Sequence, residues 1–416
     1  PLSLKLTARE WLLSGCLGPY LLMGCIRMSR PLLFVDHQTV SWKLKSVKCN
    51  PSKKCMRGFT LIELMIGLVI GLLSTLAITK ILLIPEGQKR STTSAAEAQA
   101  NGLLALEYLR EIIQMSGYGF ANARSSIGCT LETQFNGAAV TNFPTKLEPV
   151  VIVDGAAGAP DSIRSLASSK TTYSIPISIF DPGYVTADGT KNKSFPVIAS
   201  FGVADKDLLV AVKDSTSKCQ VFQSTGTPTS DAIPRDDDPS HWNPPSYPDQ
   251  NYGYGQYLIN LGAFDDTTLT ISAQGGLQFN KFILTNNTTP SYTGETELFA
   301  NIVNMQAYYG KDIDGNGVVD TWDTATPTTN AGWLEVTALR IALVSRSNQY
   351  EKDVVTAAAP MWDVGANSEI AGAITCGTSK CVSLVVPHPN NSTDWQHYRY
   401  KVFDTMIPLQ NMVWRQ

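Results

Sequence analysis

An apolar segment that begins near residue 59 carries one acidic side chain, and this combination most constrains what the chain can become. The segment runs from Phe59 to Thr79, and Glu63 is its only charged residue before Lys80. Extended to Ile84, a helix that rises about 1.5 Å per residue spans about 39 Å, enough to cross a bilayer. A charge in mid-membrane costs about 2.5–3.5 kcal/mol on insertion scales and is usually paired and functional. The sequence therefore predicts a membrane helix in which a positive group neutralises Glu63.

The residues around this glutamate resemble the class III signal of type IV prepilins. The matching run is Gly58-Phe59-Thr60-Leu61-Ile62-Glu63, followed by the apolar helix and preceded by a basic flank of Lys53, Lys54 and Arg57. The resemblance implies that a prepilin peptidase cuts between Gly58 and Phe59 and methylates the new amine. It also implies that Glu63 pairs with the Phe59 amine of a neighbouring subunit during assembly. An ordinary single-span anchor with a chance glutamate is the simpler alternative.

Composition indicates an exported β-rich protein. Charged residues make up 17% of the chain, below the usual quarter. The net charge of −3 gives no basic surface for nucleic acid. Four cysteines follow the apolar segment, which in an oxidising compartment suggests two disulfides with three possible pairings. The short spacing from Cys376 to Cys381 favours a small closed loop, which leaves Cys129 with Cys219.

Pattern changes divide the chain into four regions. The resemblance implies that residues 1–58 contain the leader, and we expect the segment upstream of it to be removed by processing or added by over-extended translation. Residues 59–84 form the membrane and filament-core helix, and residues 85–120 form its amphipathic half, with a kink or local melting at Pro85. Helical spacing predicts that this half packs on a globular domain through Leu103, Leu106, Leu109 or Arg110, and Ile113, with Leu104 and Ile112 beside them. Gly117 and Gly119 end the helix. Residues 121–416 form a β-rich domain.

Short apolar or alternating runs between turns predict the strands of that domain. They are residues 150–153, 173–180, 208–212, 268–272, 336–345, 398–402 and 406–409. Residues 298–309 have helical spacing, so a helix is favoured there and a strand stays open. Residues 231–255 predict a long surface loop. Its aromatic residues offer a contact surface as one alternative, namely Trp242, Tyr247, Tyr252 and Tyr254.

Residues 312–323 contain one constellation of oxygen ligands. Calcium binds six to eight oxygens, which alternate positions of a tight loop can supply. The side chains of Asp312, Asp314, Asn316, Asp320 and Asp323 and the carbonyl of Val318 follow that spacing. The run resembles an EF-hand loop, but its twelfth position is Asp instead of Glu, and residues 324–332 are expected not to begin a helix. We expect a lone structural calcium loop between β elements, and a metal-free turn is the alternative.

Two further features extend the resemblance to PilW-type minor pilins: the helix end at residues 103–119 and the Tyr309-Gly310 pair before the acidic loop. The resemblance implies an α+β type IV pilin fold, with a long N-terminal helix packed on an antiparallel β-sheet and a large β-rich elaboration. It implies a non-enzymatic subunit that primes or caps pilus assembly. The four histidines are scattered, and the sequence has no motif of a catalytic site.

The same resemblance implies partners and a location. The partners are other minor and major pilins, the prepilin peptidase, the inner-membrane pilus assembly machinery and an adhesin that some pilus tips carry. The chain would span the inner membrane once, hold its globular domain in the periplasm and later occupy the pilus, at its tip. A type II secretion pseudopilin and a calcium-dependent adhesin on a pilin stalk are the alternatives. The tip-most secretion pseudopilin typically lacks a glutamate at the position of Glu63, which counts against that subtype.

Overall fold

The computed structural model describes residues 58–171, 175–180, 184, 193–214, 216–237, 242–245, 247–366, 368, 370, 372–386 and 394–413. The basic flank, the upstream segment and the start of the strand expected from residue 173 lie outside these ranges. The chain divides into two units, Pro1–Ile70 and Gly71–Gln416. Within the first unit the structure describes residues 58–70, most of which belong to a helix.

That helix, α1, covers Leu61–Met115. Thr60 caps it, because the Thr60 side-chain oxygen accepts a hydrogen bond from the Glu63 amide at 3.3 Å. Residues Leu61–Ile81 have a mean hydropathy of 2.4, and none of this segment is buried within the chain. By length and composition it suits a membrane span. The helix continues through Pro85, so the local melting expected there is wrong. A proline removes one hydrogen bond of the helix, and the turns on either side retain theirs.

The second half of α1 packs on the domain through small residues. Ala98, Gly102 and Ala105 are buried, together with Leu109 and Ile113. Leu103 and Leu104 are 51% and 59% exposed, so their expected place in the packed face is wrong. The helix lies so close to the sheet that a Cβ atom on Gly102 would come within 2.1 Å of the Phe403 ring. Larger side chains at this face would hold the helix away.

Within the described residues, the domain contains strands in five sheets, with two further short α-helices, α2 (Asn330–Glu335) and α3 (Gln410–Val413). The strands are β1 Leu131–Thr133, β2 Val150–Val153, β3 Ser162–Ala167, β4 Ile177–Ser178, β5 Ser194–Pro196, β6 Leu208–Val212, β7 Cys219–Gln223, β8 Ala232–Pro234, β9 Tyr257–Gly262, β10 Asp265–Ile271, β11 Gly276–Thr285, β12 Thr289–Tyr292, β13 Thr296–Ala300, β14 Ile302–Lys311, β15 Thr321–Asp323, β16 Val336–Arg346, β17 Met361–Asp363, β18 Ile374–Cys376, β19 Ser379–Ser383 and β20 Tyr400–Pro408. Most of the expected strands are present.

An antiparallel sheet in the order β15-β14-β16-β20 lies against α1. Leu109 and Ile113 of the helix share one core with Met305 of β14 and Ile341 of β16. The strands run antiparallel throughout, with Met305 opposite Leu343 and Leu343 opposite Phe403. The expected α+β class is confirmed at this level: an N-terminal apolar helix and a large domain rich in β-sheet.

Residues 298–309 form strands β13 and β14, so the helix favoured there is wrong. Both faces of β14 are buried. Met305 and Ala307 pack towards α1, whereas Val303 and Tyr308 belong to the core on the other side. A strand buried on both faces has no polar alternation, so its apolar residues can fall at helical spacing by chance.

The remaining sheets form the elaboration. Their orders are β12-β11-β10-β3-β2, β1-β7-β6-β9-β4, β17-β19-β18 and β5-β8. Trp242, Tyr247 and Tyr252 are at most 3% exposed, so the contact surface proposed for the loop 231–255 is wrong for these three residues. Tyr254 is 75% exposed. This segment supplies core aromatic residues and strand β8.

Both expected disulfides are present. A disulfide joins Cys129 to Cys219, with 6.0 Å between their Cα atoms. It links the segment just before β1 to the first residue of β7. Cys376 and Cys381 are joined with a Cα separation of 5.8 Å and close the β18–β19 hairpin. The pairing that the spacing favoured is therefore the one in the structure.

Candidate functional site

The first candidate site is the start of α1. Gly58 and Phe59 precede the first helical residue and are exposed, Phe59 by 83%. A peptide bond in irregular, exposed backbone is accessible to a peptidase. The expected cleavage position therefore lies outside regular structure in the described chain.

Glu63 occupies the first turn of this helix. Its amide is bonded to Thr60, through the carbonyl oxygen at 3.1 Å and the side-chain oxygen at 3.3 Å. A carboxylate in the first turn is stabilised by the helix dipole and the free amides there. These groups lower the cost of the charge without cancelling it, so a partner amine still gains by pairing with Glu63.

The second candidate site is the acidic hairpin, the loop of residues 312–320 between β14 and β15. Lys311 and Thr321 are paired directly before and after it. Gly315 and Gly317 have φ angles of +73° and +84°, which glycine adopts readily. As a result, carboxylate oxygens of Asp312, Asp314 and Asp320 all lie within 4.8 Å of one another.

Backbone amides orient these carboxylates. Asp312, which is 4% exposed, accepts hydrogen bonds from the amides of Asn316 at 3.1 Å and Gly317 at 2.8 Å. Asp320 accepts from the Ile313 amide at 2.7 Å. The Asn316 side-chain oxygen accepts from the Val318 amide at 2.7 Å. Among the described residues no basic side chain forms an ion pair with the three clustered carboxylates, so their mutual repulsion has no internal counter-charge.

Asp323, expected at the twelfth ligand position, does not join this cluster. It lies in β15, opposite Tyr309, and both of its carboxylate oxygens accept hydrogen bonds from the Lys311 ammonium, at 2.7 and 2.9 Å. A strand follows the loop where an EF-hand has a helix. The expectation that residues 324–332 begin no helix is wrong only at their end, where Thr329 caps α2 by accepting from the Gly332 amide at 3.1 Å.

The sequence analysis missed one buried carboxyl, that of Asp161, which is hydrogen-bonded to the backbone of β14. Asp161 is 1% exposed, and it accepts hydrogen bonds from the amides of Gly155 at 2.8 Å and Ala307 at 2.7 Å. Burial raises the pKa of Asp161 to about 7, and nearby Asp154 adds to the rise. Pro160-Asp161-Ser162 reads as a turn in the sequence, so no local pattern marks this group as buried.

Comparison with known families finds two matches. Residues 272–411 match the family described as Type IV Pilus-assembly protein W. Residues 53–79 match the prokaryotic N-terminal methylation motif. The first match contains the acidic hairpin, and the second contains the expected cleavage position and Glu63. Comparison with curated proteins and with solved structures found no match.

Proposed function

The chain belongs to the PilW-type family of type IV pilins, and from that premise we propose that it is a minor pilin that primes or caps pilus assembly. One observation carries the proposal: the methylation motif covers Gly58, Phe59 and Glu63 and leads directly into the apolar first half of α1. The family is structural, and its members act by assembly instead of catalysis. The chain would be anchored in the inner membrane, with its globular domain in the periplasm before it enters the pilus.

The proposed mechanism is an exchange of charge partners. Cleavage after Gly58 creates a positive amine on Phe59, four residues before Glu63 in the sequence. In an apolar filament core an unpaired carboxylate is costly, because few dipoles solvate it. Pairing Glu63 of this chain with the Phe59 amine of a neighbouring pilin removes two unpaired charges at once. The pair therefore favours the assembled state and fixes how far neighbouring helices are staggered.

We also propose that the acidic hairpin binds one calcium ion with a structural role. Three carboxylates held together without a counter-charge suit a hard divalent cation. Asn316 and the Val318 carbonyl are the further candidate ligands, and the Lys311 ion pair excludes Asp323 from the set. The ion would offset carboxylate repulsion and hold the β14–β15 turn in one conformation.

The assembly role is tested in cells that make type IV pili and the matching peptidase. Mass spectrometry of the wild-type chain is expected to find a mature form that begins with methylated Phe59. Gly58→Val should block cleavage, because it changes the residue before the cut, whereas Gly71→Ala should be processed normally. Glu63→Gln should be cleaved yet enter pili at least about tenfold less, because a buried amine loses its partner.

Two outcomes would contradict the proposal. Cleavage at another position would remove the basis for pairing Glu63 with Phe59. Entry of Glu63→Gln into pili at the wild-type level would show that the charge pair is dispensable. Loss of pili in cells lacking this chain, restored by the wild type and not by Glu63→Gln, would support a priming role.

A further inference from the structure

A pocket of about 390 Å³ lies beside β14, on the face opposite α1. Its walls come from β14, the segment 154–158 after β2, and the β18–β19 hairpin. The side chains that concern its chemistry are Asp154, Gln306, Tyr308, Thr324, Ile374 and Val382. Its lining shares no residue with the acidic hairpin.

The pocket has negative charge without a basic partner. Asp154 lines it and accepts a hydrogen bond from the Thr324 hydroxyl at 3.3 Å. Asp161 lies close behind, near enough for Asp154 to affect its titration. Burial, Asp161 and Asp154 together raise the pKa of Tyr308 to about 12. Among the described residues neither aspartate forms an ion pair with a basic side chain, so a cation entering here would meet the Asp154 carboxylate without a competing basic group.

Two buried polar side chains also offer free oxygens. Tyr308 and Gln306 are 4% and 2% exposed, and both line the pocket. The Gln306 nitrogen donates to the Ala159 carbonyl at 2.6 Å. Within the described part of the chain, the Gln306 side-chain oxygen and the Tyr308 hydroxyl have no hydrogen-bond partner. Neither oxygen is sealed from solvent. These are acceptors for an N–H donor that enters the pocket.

Two apolar side chains line the pocket from the β18–β19 hairpin. Ile374 is 56% exposed at the start of β18, and Val382 lies on β19. The Cys376–Cys381 disulfide joins these two strands. Apolar walls next to acceptors suit a side chain with an aliphatic stem and a charged end.

We propose that this pocket binds a lysine or arginine side chain from a partner protein. The ammonium or guanidinium group bonds Asp154 and the free oxygens of Gln306 and Tyr308, and its stem packs on Ile374 and Val382. The identity of the partner as another pilus subunit rests on the proposed assembly role. The binding of a basic side chain rests on the pocket alone.

The test uses the full chain in detergent micelles with labelled isoleucine and valine methyl groups. The probes are n-butylammonium and n-butylguanidinium, with n-butanol as the neutral control. Both cations are expected to shift the Ile374 and Val382 methyl signals saturably. Butanol is expected to leave these signals unchanged. Asp154→Asn and Tyr308→Phe should each weaken binding about tenfold, since hydrogen bonds to charged groups are strong. Asp353→Asn, which removes an exposed carboxylate away from the pocket, should leave binding unchanged.

Three results would overturn the proposal. Equal shifts with butanol would make the site merely apolar. No saturable shift with either cation, in a folded chain, would show that no cation binds. Displacement of butylammonium by calcium chloride, with larger shifts, would make this a metal site instead. The readout is independent of cleavage after Gly58 and of pilus entry, so failure of the assembly role leaves it interpretable.

Discussion

At the scale of single residues, some side chains have their partners nearby in the chain. Glu63 is bonded through its amide to Thr60, and Cys376 and Cys381 are five residues apart. Asp161 and Gly102 are different, because each contacts a residue that is distant in the sequence. Asp161 is buried against β14, and Gly102 makes room for Phe403 of β20. A short window of sequence around Asp161 contains Gly155 but not Ala307, and one around Gly102 does not contain Phe403.

Asp161 makes stability depend on pH. Its pKa is raised to about 7 in the folded chain, mainly by burial, so ionisation opposes folding. The contribution is fully present below the ordinary pKa of an aspartate, near 4, and is lost as pH rises through about 7. Between pH 5 and 7.5 we expect the free energy of unfolding to fall by about 2.5 kcal/mol from this group. Asp161→Asn should flatten this slope, as measured by urea unfolding at several pH values.

Asp161→Asn should lower stability at every pH, because an amide cannot accept both backbone hydrogen bonds. The informative quantity is therefore the slope of the free energy of unfolding against pH. Asp214→Asn is the control. Hydrogen bonds from Thr216 and Ser217 lower the pKa of Asp214 to about 2, so its titration falls below this window. An unchanged slope in Asp161→Asn would show that another group titrates.

At the scale of elements, periodicity identified α1 and most strands but misjudged two faces. The apolar stripe of α1 correctly placed Leu109 and Ile113 in the core, but it also included the exposed Leu103 and Leu104. It missed the buried small residues Ala98, Gly102 and Ala105. The apolar spacing of residues 298–309 resembled a helix, whereas β14 is buried on both sides. In α1 the short distance between helix and sheet selects small residues, and in β14 a second buried layer removes the polar alternation of a strand. These are properties of the assembled sheet, which the pattern of one segment does not contain.

Gly102 should be sensitive to the smallest enlargement. A Cβ atom there would meet ring atoms of Phe403 at 2.1 and 2.7 Å, and this ring is only 8% exposed. In an exposed helix, Gly→Ala stabilises by about 1 kcal/mol. Here we expect Gly102→Ala to destabilise by roughly 1–3 kcal/mol, because the helix must move from the sheet. Chemical denaturation of the full chain in micelles measures the change.

A double-mutant cycle separates the clash from other effects. Phe403→Leu alone should destabilise by loss of packing, but added to Gly102→Ala it should cost less than it does alone. Strict additivity of the two changes would contradict a direct contact between residue 102 and the Phe403 ring.

At the scale of the whole molecule, the sequence predicted the class of fold better than its layout. A long apolar helix, many strands and the two disulfides were expected and are present. The division into five sheets was not, because strand order depends on long-range pairing. The parallel pairing of β1 with β7, for example, joins segments almost 90 residues apart and coincides with the Cys129–Cys219 bond. Likewise, Trp242 and Tyr252 are core residues because distant segments cover them: Trp242 shares a cluster with Phe282, and Tyr252 shares one with Phe195.

Calcium should stabilise the folded chain as a whole, because a ligand that binds only the folded state stabilises it by mass action. At a concentration 100 times the dissociation constant, the gain is about 2.7 kcal/mol, and the expected rise in Tm is at least about 3 °C. Calorimetry of the full chain in micelles, with calcium chloride against a chelator, measures it. Asp314→Ala should abolish the rise, because Asp314 is an exposed member of the cluster.

Asp323→Asn, in the strand that follows the acidic hairpin, is the matched control. It breaks the ion pair with Lys311 and should lower Tm equally with calcium and with chelator, since Asp323 lies outside the cluster. Loss of the calcium-dependent rise in Asp323→Asn would instead return this residue to the ligand set. Equal Tm values for the wild-type chain in calcium and in chelator would contradict calcium binding altogether, and the acidic hairpin would then be a turn stabilised by its own backbone hydrogen bonds.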